Sequence, residues 1–131
     1  MERQIGIIGF SAFGSIISFI FGGWDLLVLI LVYAVVIDYI TGIIASALEG
    51  KLSSQVGLRG IAKKVLIFCV VALSHLVDLL ISQGNHLVRN TTIFFYLANE
   101  FISIIENVSR TGIPIPSFLR KAIQLLKNRS K

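Results

Sequence analysis

Cysteine, proline and charge are scarce in this 131-residue chain, and each scarcity removes an explanation. Cys69 is the single cysteine, so no intrachain disulfide can hold the fold, and its place inside an apolar run reads as small, buried packing. His75 and His86 are too few and too isolated to suggest a metal site. No nucleophile–base constellation, phosphate loop or metal motif is visible, which argues against an enzyme and against a cofactor. The two prolines, Pro114 and Pro116, both fall in "IPIP" and end the segment before them. Charged residues make up 15% of the chain against 55% hydrophobic. A soluble domain of this size needs more polar surface than that to cover itself.

What is abundant is long apolar sequence. Four stretches stand out: 5–21, 26–48, 65–82 and 92–108. A membrane-crossing helix needs about 17–25 residues, and in lipid the backbone must satisfy its own hydrogen bonds, so all four read as helices. "GGWD" at 22–25 is a tight turn, with Asp25 placed to cap the second helix and Trp24 at interface depth. Gly50 follows the second stretch as a stop signal. The fourth stretch is the most polar, and Glu100 makes its insertion marginal without partners. In the first, Ser11, Ser15, Ser18 and Gly22 share one helix face that suits close packing. A cleaved signal peptide is a rival reading of that stretch, though no A-x-A-like cleavage site follows it. A shallow or re-entrant segment is another, and would leave three crossings.

The net charge of +5 sits mostly outside these stretches, which favours topology and headgroup contact over nucleic acid. Residues 49–64 carry Lys51, Arg59, Lys63 and Lys64 against Glu49, and the tail carries Arg110, Arg120, Lys121, Lys127, Arg129 and Lys131. The 83–91 connection has only Arg89. Positive residues stay in the cytoplasm, so the 49–64 loop and the tail are both expected inside. Four crossings with both termini inside is the simplest model. Residues 1–108 then form a transmembrane bundle and 109–131 a cytoplasmic basic tail. In that tail Ser117 can cap "FLRKAIQLLK", which sets an apolar face against Arg120, Lys121, Gln124 and Lys127. Such a helix lies on a membrane surface or serves as a cytoplasmic regulatory tail. The expected fold is an all-α integral membrane protein of three to four transmembrane helices plus a basic amphipathic helix.

Polar groups inside the stretches carry the functional question. Asp38 lies near the centre of the second, with Gly42 on its face and Thr41 and Ser46 bordering it. His75 and Asp78 are three apart in the third and can touch. In the fourth, Thr92, Tyr96, Asn99, Ser103 and Glu106 form a polar stripe with Glu100 beside it. Such residues either glue helices together or line water. One small chain cannot enclose a wide channel, so a water-lined lesion requires a homo-oligomer. Asp38, Asp78 and Glu100 are candidates for poising a packed state against an open one.

"WD" at 24–25, "DYITG" at 38–42, "KLSSQVGLRGIAKK" at 51–64, "FFYLANEFISIIEN" at 94–107 and "GIPIP" at 112–116 together resemble the toxin-secretion/phage-lysis holin family of Gram-positive phages and prophages. The resemblance covers residues 20–127 and is specific in combination. It implies oligomeric lesions in the host cytoplasmic membrane that release an endolysin or a toxin, with an antiholin as a conceivable partner. It supplies no catalytic residues, and its members are often drawn with three spans. In the 51–64 loop, Gly57 and Gly60 are flexible or close-packing points. Arg59, Lys63 and Lys64 either meet anionic headgroups or only set topology. A small ion channel or transporter subunit, and a structural scaffold, are the competing functions.

Overall fold

A computed structural model of the chain describes residues 1–81 and 85–129. Ser82, the expected end of the third stretch, and Lys131 of the tail lie outside the described residues. Five helices follow in order: α1 (Glu2–Phe21), α2 (Leu26–Leu48), α3 (Ser54–Ile81), α4 (Leu87–Arg110) and α5 (Ser117–Arg129). Among the described residues there is no strand.

The helix ends follow local chemistry. Gly22 closes α1 in the left-handed region at φ 80°, and the Gly23 N–H returns to the Ser18 carbonyl at 2.7 Å. The Asp25 carboxylate then accepts from the Val28 N–H at 3.0 Å and starts α2, as expected. Gly50, at φ 71°, ends α2, and the Lys51 N–H reaches back to the Ser46 carbonyl at 2.9 Å. Only a short connection follows. The Ser53 hydroxyl accepts from Val56 N–H at 3.1 Å, so α3 begins at Ser54 and runs for 28 residues.

That early start corrects the expected 49–64 loop. Arg59, Lys63 and Lys64 ride on a helix, and Gly57 and Gly60 serve close packing. Tyr39 of α2 lies across both glycines, donating to the Gly57 carbonyl at 3.3 Å; a Cβ at either glycine would stand 3.3 Å from its side chain. Cys69 also departs from expectation, being exposed on α3. Ser117 is the first residue of α5, where the Leu119 and Arg120 N–H groups bond the Pro116 carbonyl.

Among the described residues three helices, α1, α2 and α3, are long and apolar enough to cross a membrane. The fourth, α4, runs beside α2 from end to end: Arg89 pairs with Asp25 at one end and Arg110 with Glu49 at the other. Between them lies the core of Val28, Leu31, Ala34, Val35, Val71, Ile93 and Leu97, shared by α2, α3 and α4. No residue of α1 is buried; it rests on the bundle through Phe21, whose ring meets Phe68 edge-on at 5.8 Å. The Trp24 indole donates to the Gly14 carbonyl at 3.2 Å. Most of the large apolar side chains on α1 face outward, as does much of α2 and α3. In water that exterior would be a severe liability; against lipid it is ordinary.

The last helix packs against α4. Arg120 donates to the Ser109 hydroxyl at 2.9 Å, while Leu126 and Arg129 share a cavity wall with Thr91 and Phe94. Lys127 is half-buried and Lys121 exposed.

Candidate functional site

Polar residues within the bundle gather into two clusters, one at mid-length and one at the α1–α2 turn. The first is built by three helices. Asp38 lies on the buried face of α2, Glu100 on that of α4, and each is only 4% exposed. Lys64 enters from α3. Its ammonium donates to Asp38 Oδ2 and to both oxygens of Glu100, at 3.1 and 2.8 Å. Residues 26 and 36 positions away are joined by one side chain. Removing charges from water costs several kcal/mol per ion, by order of magnitude, and close pairing offsets that cost. One ammonium faces two carboxylates, so the cluster carries one excess negative charge when all three groups are ionised.

Asn107, one α4 stretch below Glu100, completes the arrangement. Its amide donates to the Asp38 carbonyl at 3.1 Å, to Asp38 Oδ1 at 2.9 Å and to the Thr41 hydroxyl at 3.0 Å. Three acceptors share two hydrogens. Gly42 makes room for it: a Cβ there would lie 3.4 Å from the Asn107 amide nitrogen. The chain of contacts continues outward. Arg110 reaches Asn107 Oδ1 at a long 3.4 Å and Glu49 at 2.6 Å, and Glu49 also faces Lys51 at 3.6 Å. The Arg110 guanidinium holds the Glu49 carboxyl below the usual carboxylate range.

The second cluster centres on Arg89, which is fully buried. Its guanidinium grips both oxygens of Asp25 at 2.8 and 3.0 Å. It also donates to the Phe21 carbonyl at 2.6 Å, to Gly23 at 3.3 Å and to Asn90 Oδ1 at 2.9 Å. This bidentate pair ties α4 to the α1–α2 turn and lowers the Asp25 carboxyl from its ordinary value. Asp78 accepts the N–H groups of Val88 and Arg89 at 2.9 and 2.8 Å and so caps α4. The His75 and His86 rings stand 5.9 Å apart, and Gly22 abuts His75 so closely that a Cβ would fall 2.6 Å from its Nδ1.

The residues singled out from sequence are therefore divided. Asp38, Thr41, Gly42 and Glu100 come together. Ser46 and Ser103 are half-buried on the wall of a cavity beside them. Asp78 and His75 belong to the other end. The expected α4 stripe does not hold as a unit: Tyr96 is half-buried against Phe95 and the Thr92 hydroxyl meets Ser74 at 2.7 Å, but Asn99 and Glu106 are exposed. The buried polar line on α4 is Arg89, Glu100 and Asn107. Lys64 is drawn into the acid cluster, with 21% of its side chain exposed, while Arg59 and Lys63 remain outside. Sequence reading missed Asn107 and Arg89 as site residues, although the seven- and eleven-residue spacings from Glu100 place all three near one helix face.

Comparison with known proteins finds relatives along nearly the whole chain. A relative from Listeria innocua is 46% identical over 127 residues, covering 97% of this chain and 88% of its own. One from Clostridium perfringens is 39% identical, covering 94% and 91%. A 14.9 kDa protein from the nagH 3' region of Clostridium perfringens is 38% identical, covering 98% and 99%. No solved structure matches. The family model described as the bacteriophage holin family matches residues 15–128, from within α1 into α5. The chain is a membrane protein that belongs to the bacteriophage holin family.

Proposed function

We propose that the protein is a holin proper: a chain that accumulates in the bacterial cytoplasmic membrane as a packed bundle and then assembles with its own copies into lesions. The observation that carries this reading is Lys64 holding Asp38 and Glu100 between helices whose outer faces are apolar. In the packed state the two carboxylates share one ammonium. Breaking such an arrangement by removing one partner costs about 3–5 kcal/mol, so the resting bundle has a well-defined latch. On assembly, water replaces the partner across the helix gap, and the same residues line the opening. Asp38, Thr41, Glu100, Ser103 and Asn107 are then the wetted face.

In this reading α4 crosses beside α2, its polar groups sheltered by α2 and α3, which supplies the help its marginal apolarity needs. Four crossings then leave Lys51, Arg59, Lys63, Arg110 and the N-terminus on the cytoplasmic side, in accord with the positive-inside bias, while α5 folds back along α4 towards Thr91 and Phe94. The cargo is a folded hydrolase that degrades peptidoglycan, or a secreted toxin. An antiholin would act by holding the latch closed.

A small ion channel is the second reading. It is favoured by the unbroken run of polar contacts from Glu100 through Lys64, Asp38, Asn107 and Arg110 to Glu49. Induced expression in bacteria carrying a folded fluorescent reporter in the cytoplasm separates the two. The holin reading expects abrupt release of the reporter after a delay. Ion flux with the reporter retained would replace it with the channel, and neither event would leave only a scaffold.

A further inference from the structure

The end of the bundle where α2 finishes, α3 begins and α4 finishes opens into a cavity of about 370 Å³. Its wall includes Tyr39, Ser46, Lys63, Ser103, Asn107 and Arg110. Lys63 forms no ion pair among the described residues. Arg110 shares Glu49 with Lys51, and its contact to Asn107 is long, so its guanidinium retains donors for a further acceptor. Asp38, the one carboxylate in the described lining, already accepts from Lys64 and Asn107. The Ser103 hydroxyl is likewise engaged with Asp38, so the wall offers two cations and the Ser46 hydroxyl to a negatively charged guest.

A second cavity, of about 220 Å³, shares Tyr39 and Lys64 with the first. It runs between α2 and α3 over Val35, Val36, Ile61, Val65 and Phe68, and apart from the two shared residues its lining is hydrocarbon and ring. Val36, Ile61 and Val65 are all exposed there. Tyr39, laid across Gly57 and Gly60, lines both cavities.

We propose that the two cavities form one binding site for an anionic phospholipid, with the phosphodiester against Lys63 and Arg110 and one acyl chain between α2 and α3. The first cavity alone falls within the roughly 300–1,000 Å³ of small-molecule sites. A free phosphate would satisfy the cations but leave the apolar groove without an occupant. A zwitterionic lipid would bring its own ammonium towards Lys63. The site rests on the membrane placement of the proposed function and not on lesion formation, and its test does not involve permeabilisation. Its consequence is that lipid bridges α2 and α3, which makes the packed bundle more stable in anionic membranes.

The full-length protein in a neutral detergent, titrated with short-chain phosphatidylglycerol, short-chain phosphatidylcholine or glycerol phosphate, provides the test by thermal unfolding. Phosphatidylglycerol raises Tm saturably, and the other two do not. Lys63→Gln weakens the apparent affinity about tenfold, as expected for one charge-assisted hydrogen bond. Val65→Trp, which fills the groove and leaves the charges alone, removes the effect, whereas Arg3→Gln, with the same loss of charge on α1, keeps it. Equal responses to phosphatidylcholine and phosphatidylglycerol would overturn the proposal. So would equal behaviour of Lys63→Gln and Arg3→Gln. Full competition by glycerol phosphate with no effect of Val65→Trp would make the cavity a soluble-phosphate site instead.

Discussion

Replacing Arg89 by methionine keeps most of the side chain's length and removes every bond its guanidinium makes. The two ends of that cluster respond differently. Asp25 is 48% exposed on its side-chain atoms, so water can take over much of what Arg89 supplied and that half of the loss is small. The Phe21 carbonyl, at 2.6 Å, is half-buried and accepts from the fully buried Arg89 side chain. A hydrogen bond between a charged and a neutral group contributes about 1.5–3 kcal/mol, and the Gly23 and Asn90 contacts add less. The expected destabilisation is about 3 kcal/mol, read from unfolding of the purified protein in mixed micelles. A pH signature accompanies it. The Asp25 carboxyl is lowered in the folded state, so its contribution is present above the unfolded carboxylate value of about 3.9 and fades as pH falls through the lower folded value. Arg89→Met should lose most of that acid-side dependence, the Val28 N–H keeping the rest. A change below about 1 kcal/mol, or an unaltered acid limb, would refute the view that this cluster fastens α4 to the α1–α2 turn.

Other substitutions test separate parts of the structure. Gly22→Ala forces a Cβ into left-handed backbone and to within 2.6 Å of His75 Nδ1, and is expected to cost about 3 kcal/mol by the same unfolding assay. Asn107→Ala should cost about 2 kcal/mol, and Asn107→Asp more despite its matching size, because it sets a carboxylate against Asp38. Arg110→Gln should return the Glu49 carboxyl towards its ordinary value in a carboxyl NMR titration, with little change in stability, since that pair is in water.

The helices were legible where the sequence carries local signals. Asp25 before an apolar run, and Gly22 and Gly50 after one, each act within a turn or two, and the structure uses all three. Asp38 and Glu100 stood out because an ionisable residue in such surroundings demands a partner. The partner itself was not legible. Lys64 meets two helices through a long side chain, and no spacing along the chain encodes that reach. Its neighbours Gly57 and Gly60 resembled loop residues because glycine is a poor helix former, yet here they make room for Tyr39. Arg89 was counted as a loop charge, and nothing local marks it as the residue that closes the opposite end of the bundle. The polar stripe on α4 failed for a similar reason. Periodicity finds a face, but only packing against α2 and α3 decides which face turns inward.

The most direct measurement concerns Lys64. Reporter release would be timed for the wild-type chain, for Lys64→Met, and for Lys64→Met combined with Asp38→Asn and Glu100→Gln, at matched amounts in the membrane. Removing the ammonium alone strands two carboxylates in the packed bundle, so release should begin early. Removing all three charges relieves that strain and takes the two carboxylates from the wetted face, so release should be late or absent. If Lys64→Met and the wild type began together, or if the triple variant released as early as the single one, the lysine latch would not be what restrains this protein.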